Sequence, residues 1–279
     1  MTSTAAARGG SRDLRAMSGG TAVCGGAAGA HAPAGDPDPI DPDDLIDPVE
    51  PSALAALIAG RRSVRAFRPE PLSRELLAEL FSAAQHAPSW CNIQPWRVIV
   101  TSPALTAALG ADVLAAYEAG ERGPEIPFPP EYPEPYLAHR RACAGALYSA
   151  MGIARGDEDG RMDAWRRNYR FFGAPHAAIV SIDRRLGAYA MLDLGVWLGI
   201  VLTQAAAMGI ATCPMASIAA YPGPVRRRLP IGEHQAIAVA IALGFADDAA
   251  PANRCQTRRA PLDANLTFAG ISEDPDADW

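Results

Sequence analysis

Apolar positions alternate between helical and strand spacing along the chain from about residue 51 onward. Leu54, Leu57 and Ile58 recur one turn apart after Ser52, predicting a short helix with Ser52 as its cap. Leu76, Leu77, Leu80, Phe81 and Ala84 form the apolar face of a second helix, capped by Ser73 and ended before Pro88. Residues 96–101 (WRVIVT) then read as a strand, followed by a helix over about 103–119. Further helices are predicted at 136–152 and 157–171, and residues 177–182 (AAIVSI) form a strand apolar enough to be buried on both faces. The segment 188–208 is a long helix whose Leu192, Leu194, Trp197, Leu198, Val201 and Leu202 cover more than one face, which places it at a domain centre or in a subunit interface. Short strands at 210–213 and 236–243, with a helix near 223–229 between them, complete the pattern.

Two stretches break the periodicity. Residues 1 to about 48 are rich in Gly, Ala and Ser and then run Asp-Pro-Asp-Pro-Ile-Asp-Pro-Asp-Asp, so residues 1–50 are expected to be a disordered leader ahead of one domain over 51–279. The segment 121–135 is dense in proline, with Phe128 and Tyr132 interleaved, and reads either as a lid over a pocket or as a surface connection. The tail from Pro261 carries little core signal, and Leu266 and Phe268 are candidates to pack on a partner chain.

Charge and composition narrow the class. The net charge is -6, and most of it sits in the leader, where eight carboxylates face three arginines. A near-neutral remainder gives no reason to expect nucleic acid as a partner. No continuous apolar run of about 18 residues is present, so no membrane span is expected. A cytoplasmic location follows as the expectation, because the Ala/Gly-rich stretch near residues 21–34 is too weakly apolar for a secretory signal. All 25 basic residues are arginine, which excludes a lysine Schiff base and a lysine-dependent phosphate loop.

The five cysteines (Cys24, Cys91, Cys143, Cys213, Cys255) are widely spaced without a CxxC, and the five histidines lack an i, i+4 pair, so neither a disulfide framework nor a metal centre is expected. His86, His139 and His176 are read as structural, no catalytic acid or base is assigned, and Cys91 and Cys213 are read as packing residues.

Two segments carry chemistry. Arg61, Arg62, Ser63 and Arg65 fall in the turn between the first two helices, where guanidinium forks and a hydroxyl could converge on one anion, and Arg254, Arg258 and Arg259 could add a second cationic arm. A solvated charge run is the competing reading. Residues 88–96 (PSWCNIQPW) set Ser89, Asn92 and Gln94 between two prolines and beside Trp90 and Trp96. Rigid backbone with short amides suits a heteroaromatic edge, and the competing reading is a plain helix-to-strand loop.

Together, Arg-Arg-Ser-Val-Arg and Ala-Pro-Ser-x-x-Asn-x-Gln-Pro-Trp resemble the N-terminal signature of the FMN-dependent nitroreductase family. The likeness extends from about Pro51 to Phe268 and is strongest to the nitrobenzoate reductase-like branch, through YRFFGAP (169–175), MGIATCP (208–214) and the segment from Asn253 to Leu262. The resemblance implies an α/β (α+β) fold with a central mixed, mainly antiparallel sheet flanked by helices, in an interlocked homodimer with one FMN in each interfacial cleft. On that resemblance Arg61, Arg62 and Ser63 hold the phosphate and ribityl end with Arg259, while Arg65 lies towards the pyrimidine edge. Pro88, Ser89, Trp90 and Asn92 reach the flavin from the other subunit, and backbone around Pro214, Met215 and Ala216 approaches N5. Met215 stands where that branch carries glutamine, which suggests a more apolar substrate face.

No GxGxxG follows a strand, so a Rossmann nicotinamide site is not expected. The resemblance implies an oxidoreductase that passes hydride from NAD(P)H through FMN to a nitroaromatic, quinone or similar small planar acceptor by a ping-pong sequence. Two other readings stand beside it: an FMN-dependent dehydrogenase using oxygen as acceptor, and a non-catalytic flavin-binding protein.

Overall fold

The computed structural model describes residues 50–271, all within one compact unit, Pro48–Trp279. The leader expected up to residue 50 lies outside the described residues except for Glu50, as do Cys24 and the end of the tail.

Helix α1 (Pro51–Gly60) opens with proline in its first turn, where a fixed φ and a missing N–H cost nothing. Ser52 is therefore inside the helix, and its hydroxyl donates to Glu50 instead of capping. The Ser73 hydroxyl does cap α2 (Arg74–Ala84), accepting the Leu76 N–H, and Ser102 caps α3 (Pro103–Glu118) in the same way. Between them runs β1 (Arg97–Val100). Helices α4 (Tyr136–Ala150) and α5 (Glu158–Tyr169) follow, the latter capped by Asp157. The expected continuation of α5 to residue 171 fails because Phe171 and Phe172 adopt left-handed backbone, φ 51° and 56°, which turns the chain into β2 (His176–Asp183).

Helix α6 (Gly187–Ala207), β3 (Ala211–Met215), α7 (Ala216–Ala219), α8 (Pro222–Arg228) and β4 (Gln235–Gly244) complete the main elements. The four strands form one sheet in the order β1-β2-β4-β3, with every neighbouring pair antiparallel. Strand β3 runs two residues further than its apolar pattern suggested, through Pro214. It is an edge strand, so the missing N–H need not serve a second neighbour.

Helices cover both faces of the sheet, which is why β2 is apolar at successive positions. Ala177 and Ile179 face a cluster that includes Leu109, Val113, Phe171 and Ile218; Ala178 and Val180 face another that includes Leu80, Trp96, Trp197 and Val201. Helix α6 buries Ala190, Leu194, Trp197, Val201 and Ala205 along one side while Tyr189, Leu192 and Val196 are exposed on another. By length and composition α6 could cross a membrane, which an unbroken apolar run did not reveal. Its contacts with α2 and β3, and a buried Asp193, are those of a core helix.

Candidate functional site

The arginine segment is not a helix-to-helix turn. It meets the free edge of β3 at one point, where Ser63 pairs in parallel with Thr212 and the Val64 N–H donates to the Thr212 carbonyl at 2.9 Å, and then runs beside residues 245–247. This parallel bridge makes the otherwise antiparallel sheet locally mixed. A second bridge, Phe67 to Ala246, holds the far end. Asn253, buried in the 3-10 turn Pro251–Arg254, fastens the centre: its Oδ1 accepts the Arg65 N–H at 2.7 Å, and its Nδ2 donates to the carbonyls of Ala66 and Asp247, each at 2.8 Å.

With the backbone pinned, the side chains stay partly open. Arg62 pairs with Asp248 at 3.0 Å at an exposed position, a contact of small net worth that an anion could displace. Arg65 uses one guanidinium nitrogen on the Ser63 carbonyl at 3.3 Å. It lies close enough to two thiols to influence both: burial pushes Cys213 up to about 11 and raises Cys255, and the Arg65 charge opposes both shifts.

The bridge to Thr212 also brings the arginine segment beside the chain leading to Pro214, Met215 and Ala216. Exposure alternates there, with Pro214 partly open, Met215 buried and Ala216 exposed. Met215 is in the core cluster with Ile218 and Tyr221, so the expectation that its side chain makes the substrate face apolar is corrected: strand alternation turns it inward. One residue beyond Ala216, the Ser217 hydroxyl oxygen is buried without a hydrogen-bond partner among the described residues.

The proline-flanked segment forms a second, separate surface. Residues 90–92 make a 3-10 turn in which Cys91, Asn92 and then Gln94 take left-handed φ values of 46°, 54° and 45°, a costly region for residues with a Cβ. Ser89 Oγ accepts the Gln94 N–H at 3.0 Å, and the Gln94 amide donates to the Asn92 carbonyl and side chain, each at 3.1 Å. The Trp90 ring is exposed and leans on Tyr189 with centroids 4.9 Å apart. Cys91 is exposed, so its reading as a packing residue is corrected, whereas Cys213 does pack in the core.

None of the hydrogen bonds among the described residues joins this loop to residues 61–65. Arg259 likewise bonds only within its own loop, to Thr257 and the Arg258 carbonyl. His176 is structural, its Nε2 accepting the Leu72 N–H at 3.1 Å while Nδ1 lies 2.9 Å from the Thr101 carbonyl, which requires the Nδ1–H tautomer. A cleft of about 500 Å³ between α2 and the β1 to α3 junction is lined by Leu72, Phe81, Val100 and His176 and by none of the expected cofactor residues. Among the described residues no cluster of ligating side chains suited to a metal is found.

Three residues escaped the sequence reading. In the sequence Asn253 is one residue of a longer motif, and Asp193 is the lone charge of an apolar helix. Glu125 lay in the proline-rich segment, whose first half is a fixed brace: its carboxylate takes Arg184 at 2.6 Å, Arg226 at 2.8 Å and the Ile237 N–H at 2.8 Å. Pairs so distant in sequence leave no local signature.

A helix-covered antiparallel sheet whose edge is bridged by an arginine-rich segment, with a strained aromatic and amide loop elsewhere, defines an α+β protein. The Nitroreductase family profile matches residues 58–245, and the chain belongs to the nitroreductase family, as its motifs implied. It is 35% identical over 218 residues to nitroreductase NfnB of Mycolicibacterium smegmatis, covering 78% of this chain and 93% of that protein. It is 34% identical over 227 residues to a 4-nitrobenzoate reductase of Nocardioides sp., covering 80% and 92%. The fold resembles that of the FMN-dependent NfnB from Mycobacterium smegmatis crystallised in complex with NADPH, with a TM-score of 0.75 and 32% identity over 79% of this chain and all of that one.

Proposed function

We propose that this chain is an FMN-dependent nitroreductase that takes hydride from NAD(P)H and delivers it to a nitroaromatic, quinone or similar small planar acceptor in a ping-pong sequence. The observation that carries the reading is the Ser63 to Thr212 bridge, which joins the arginine segment to the strand leading to Pro214–Ala216. The donor set fits FMN. Among the described contacts neither the Arg61 guanidinium nor the Ser63 hydroxyl has a partner, and Arg62 is only loosely held by Asp248.

Arg61, Arg62 and Ser63, joined by Arg259 from its own loop, would hold the phosphate and ribityl end. Arg65, fixed through its backbone, would place positive charge at the pyrimidine edge, where electrons are stored. Ala216 opens α7, where its N–H has no intrahelical acceptor, and it would donate to N5. Pro88, Ser89, Trp90 and Asn92 would come from a partner subunit. When bound, FMN supplies the hydride chemistry, and the protein supplies position and charge.

A homodimer accounts for the apolar surface the single chain leaves open. Helix α1 has no buried residue, with Leu54 and Ile58 exposed, and Tyr189 and Leu192 of α6 are each more than 60% exposed. Such apolar exposure marks an interface.

The decisive experiment is a visible spectrum of the purified protein, then anaerobic titration with NADPH and with NADH. Expected results are a yellow protein, bleaching by a nicotinamide, return of colour with a nitroaromatic or quinone, and parallel double-reciprocal plots. A colourless protein that takes up no added FMN would overturn the proposal. Bleaching by an organic substrate but by neither nicotinamide would transfer the chain to the oxygen-dependent dehydrogenases.

A further inference from the structure

We propose that Asp193 is the positioning residue of the flavin-edge loop, acting through the backbone of Trp90; this rests on the placement of residues 88–92 at the cofactor proposed above.

Asp193 is the only charged residue of α6 and is more than nine-tenths buried. Its Oδ1 accepts the Trp90 N–H at 3.0 Å, a contact spanning 103 residues of chain. Its Oδ2 is buried with no partner among the described residues. A carboxylate maintained only for stability would have both oxygens satisfied, because an unpaired buried oxygen costs free energy. This one is half satisfied, and the bond it makes goes to the middle of the strained loop.

The loop's own hydrogen bonds, Gln94 to Ser89 and Gln94 to Asn92, set its shape but not its location. Location comes from α6. Tyr189 and Asp193 lie one helical turn apart, so they share a face, and the first meets the Trp90 ring while the second takes the Trp90 N–H. A ring contact alone permits sliding and tilting. A hydrogen bond to a fixed side-chain oxygen adds direction, and the residue it fixes is flanked by Ser89 and by the left-handed pair Cys91 and Asn92. Without that anchor the three left-handed residues have an incentive to relax, and the loop's amides lose their alignment.

The test uses the full-length protein, with Asp193→Asn keeping an acceptor oxygen for Trp90 and Asp193→Ala removing it. FMN affinity is read by flavin fluorescence titration, alongside melting of the apo protein and steady-state kinetics with NADPH and 4-nitrobenzoate. Asp193→Ala is expected to weaken FMN binding tenfold or more with little or no fall in apo melting temperature, and Asp193→Asn to recover affinity to within about threefold of the parent. Unchanged FMN affinity in Asp193→Ala, or an asparagine variant no better than alanine, overturns the proposal. If Asp193→Ala does not fold, Asp193→Ser, too short to reach the Trp90 N–H, decides: at least threefold weaker FMN binding supports the anchor, and unchanged binding overturns it. Two controls separate this inference from the reading beneath it. Failure of the parent protein to bind FMN removes the cofactor assignment, and an unchanged Asn92→Ala removes the loop from the cofactor whatever Asp193 does.

Discussion

The Asn253 side chain grips the backbone at Arg65, accepting the Arg65 N–H at 2.7 Å and donating to the adjoining Ala66 carbonyl at 2.8 Å. The arginine segment is thus held by an amide 188 residues away in sequence rather than by a turn of its own. Replacing Asn253 with Ala leaves the Arg65 N–H without its acceptor and takes one of two donors from the Ala66 and Asp247 carbonyls, which keep the N–H groups of Asp247 and Ala250, and should cost about 1–3 kcal/mol of stability, read by urea unfolding. Asn253→Asp, which accepts but cannot donate, should lie between Ala and the parent. Equal stability of all three proteins would remove the clamp.

Arg65→Ala should slow reduction by NADPH more than it weakens FMN binding. The guanidinium would meet charge that grows as electrons arrive, whereas Arg61 and Arg62 would meet charge present from the start. Stopped-flow bleaching against FMN titration separates the two, and an unchanged reduction rate would deny Arg65 this role.

Glu125 links stability to pH. Burial raises its pKa, but the donors Arg226, the Ile237 N–H and Arg184 outweigh burial and hold it below the ordinary value near 4.5. A depressed folded-state value means that the stabilisation is fully present above the unfolded value and is lost as pH falls through the folded one. Glu125→Gln should therefore cost about 2–4 kcal/mol at pH 7, with the difference from the parent shrinking progressively below about pH 4. Unfolding in urea at both pH values checks this, and a pH-independent difference would contradict it.

Met215→Gln tests the inward orientation of that side chain. An amide placed among Ile218 and Tyr221 should destabilise the fold by about 1–3 kcal/mol and leave the KM for a nitroaromatic nearly unchanged. A large change in KM without a change in melting temperature would put residue 215 at the substrate after all.

Cys91 is exposed and Cys213 buried, with its pKa pushed up to about 11. Thiolate is the reactive form, so a thiol reagent at pH 8 should label Cys91 and leave Cys213 untouched until the protein unfolds. Peptide mapping distinguishes them. Saturating FMN should slow labelling of Cys91 if its loop borders the cofactor.

Local pattern was enough for the existence and type of the main elements, because helical and strand periodicity depend only on neighbours in the chain. Residues 74–84 and 103–118 show it, with Ser73 and Ser102 as caps readable from sequence. Residue types also marked the two candidate segments, since arginine forks and a proline-flanked amide turn are uncommon combinations. Tertiary structure decided what those segments do to one another. It bridged Ser63 to Thr212 at the edge of β3, turned Met215 into the core, closed Asn253 on the Arg65 backbone and set Asp193 under Trp90. Each of these joins residues tens to nearly two hundred positions apart, or depends on which face of a strand is buried. Such partners are chosen by the packing of the whole sheet and its helices, and nothing in a local stretch of side chains specifies them.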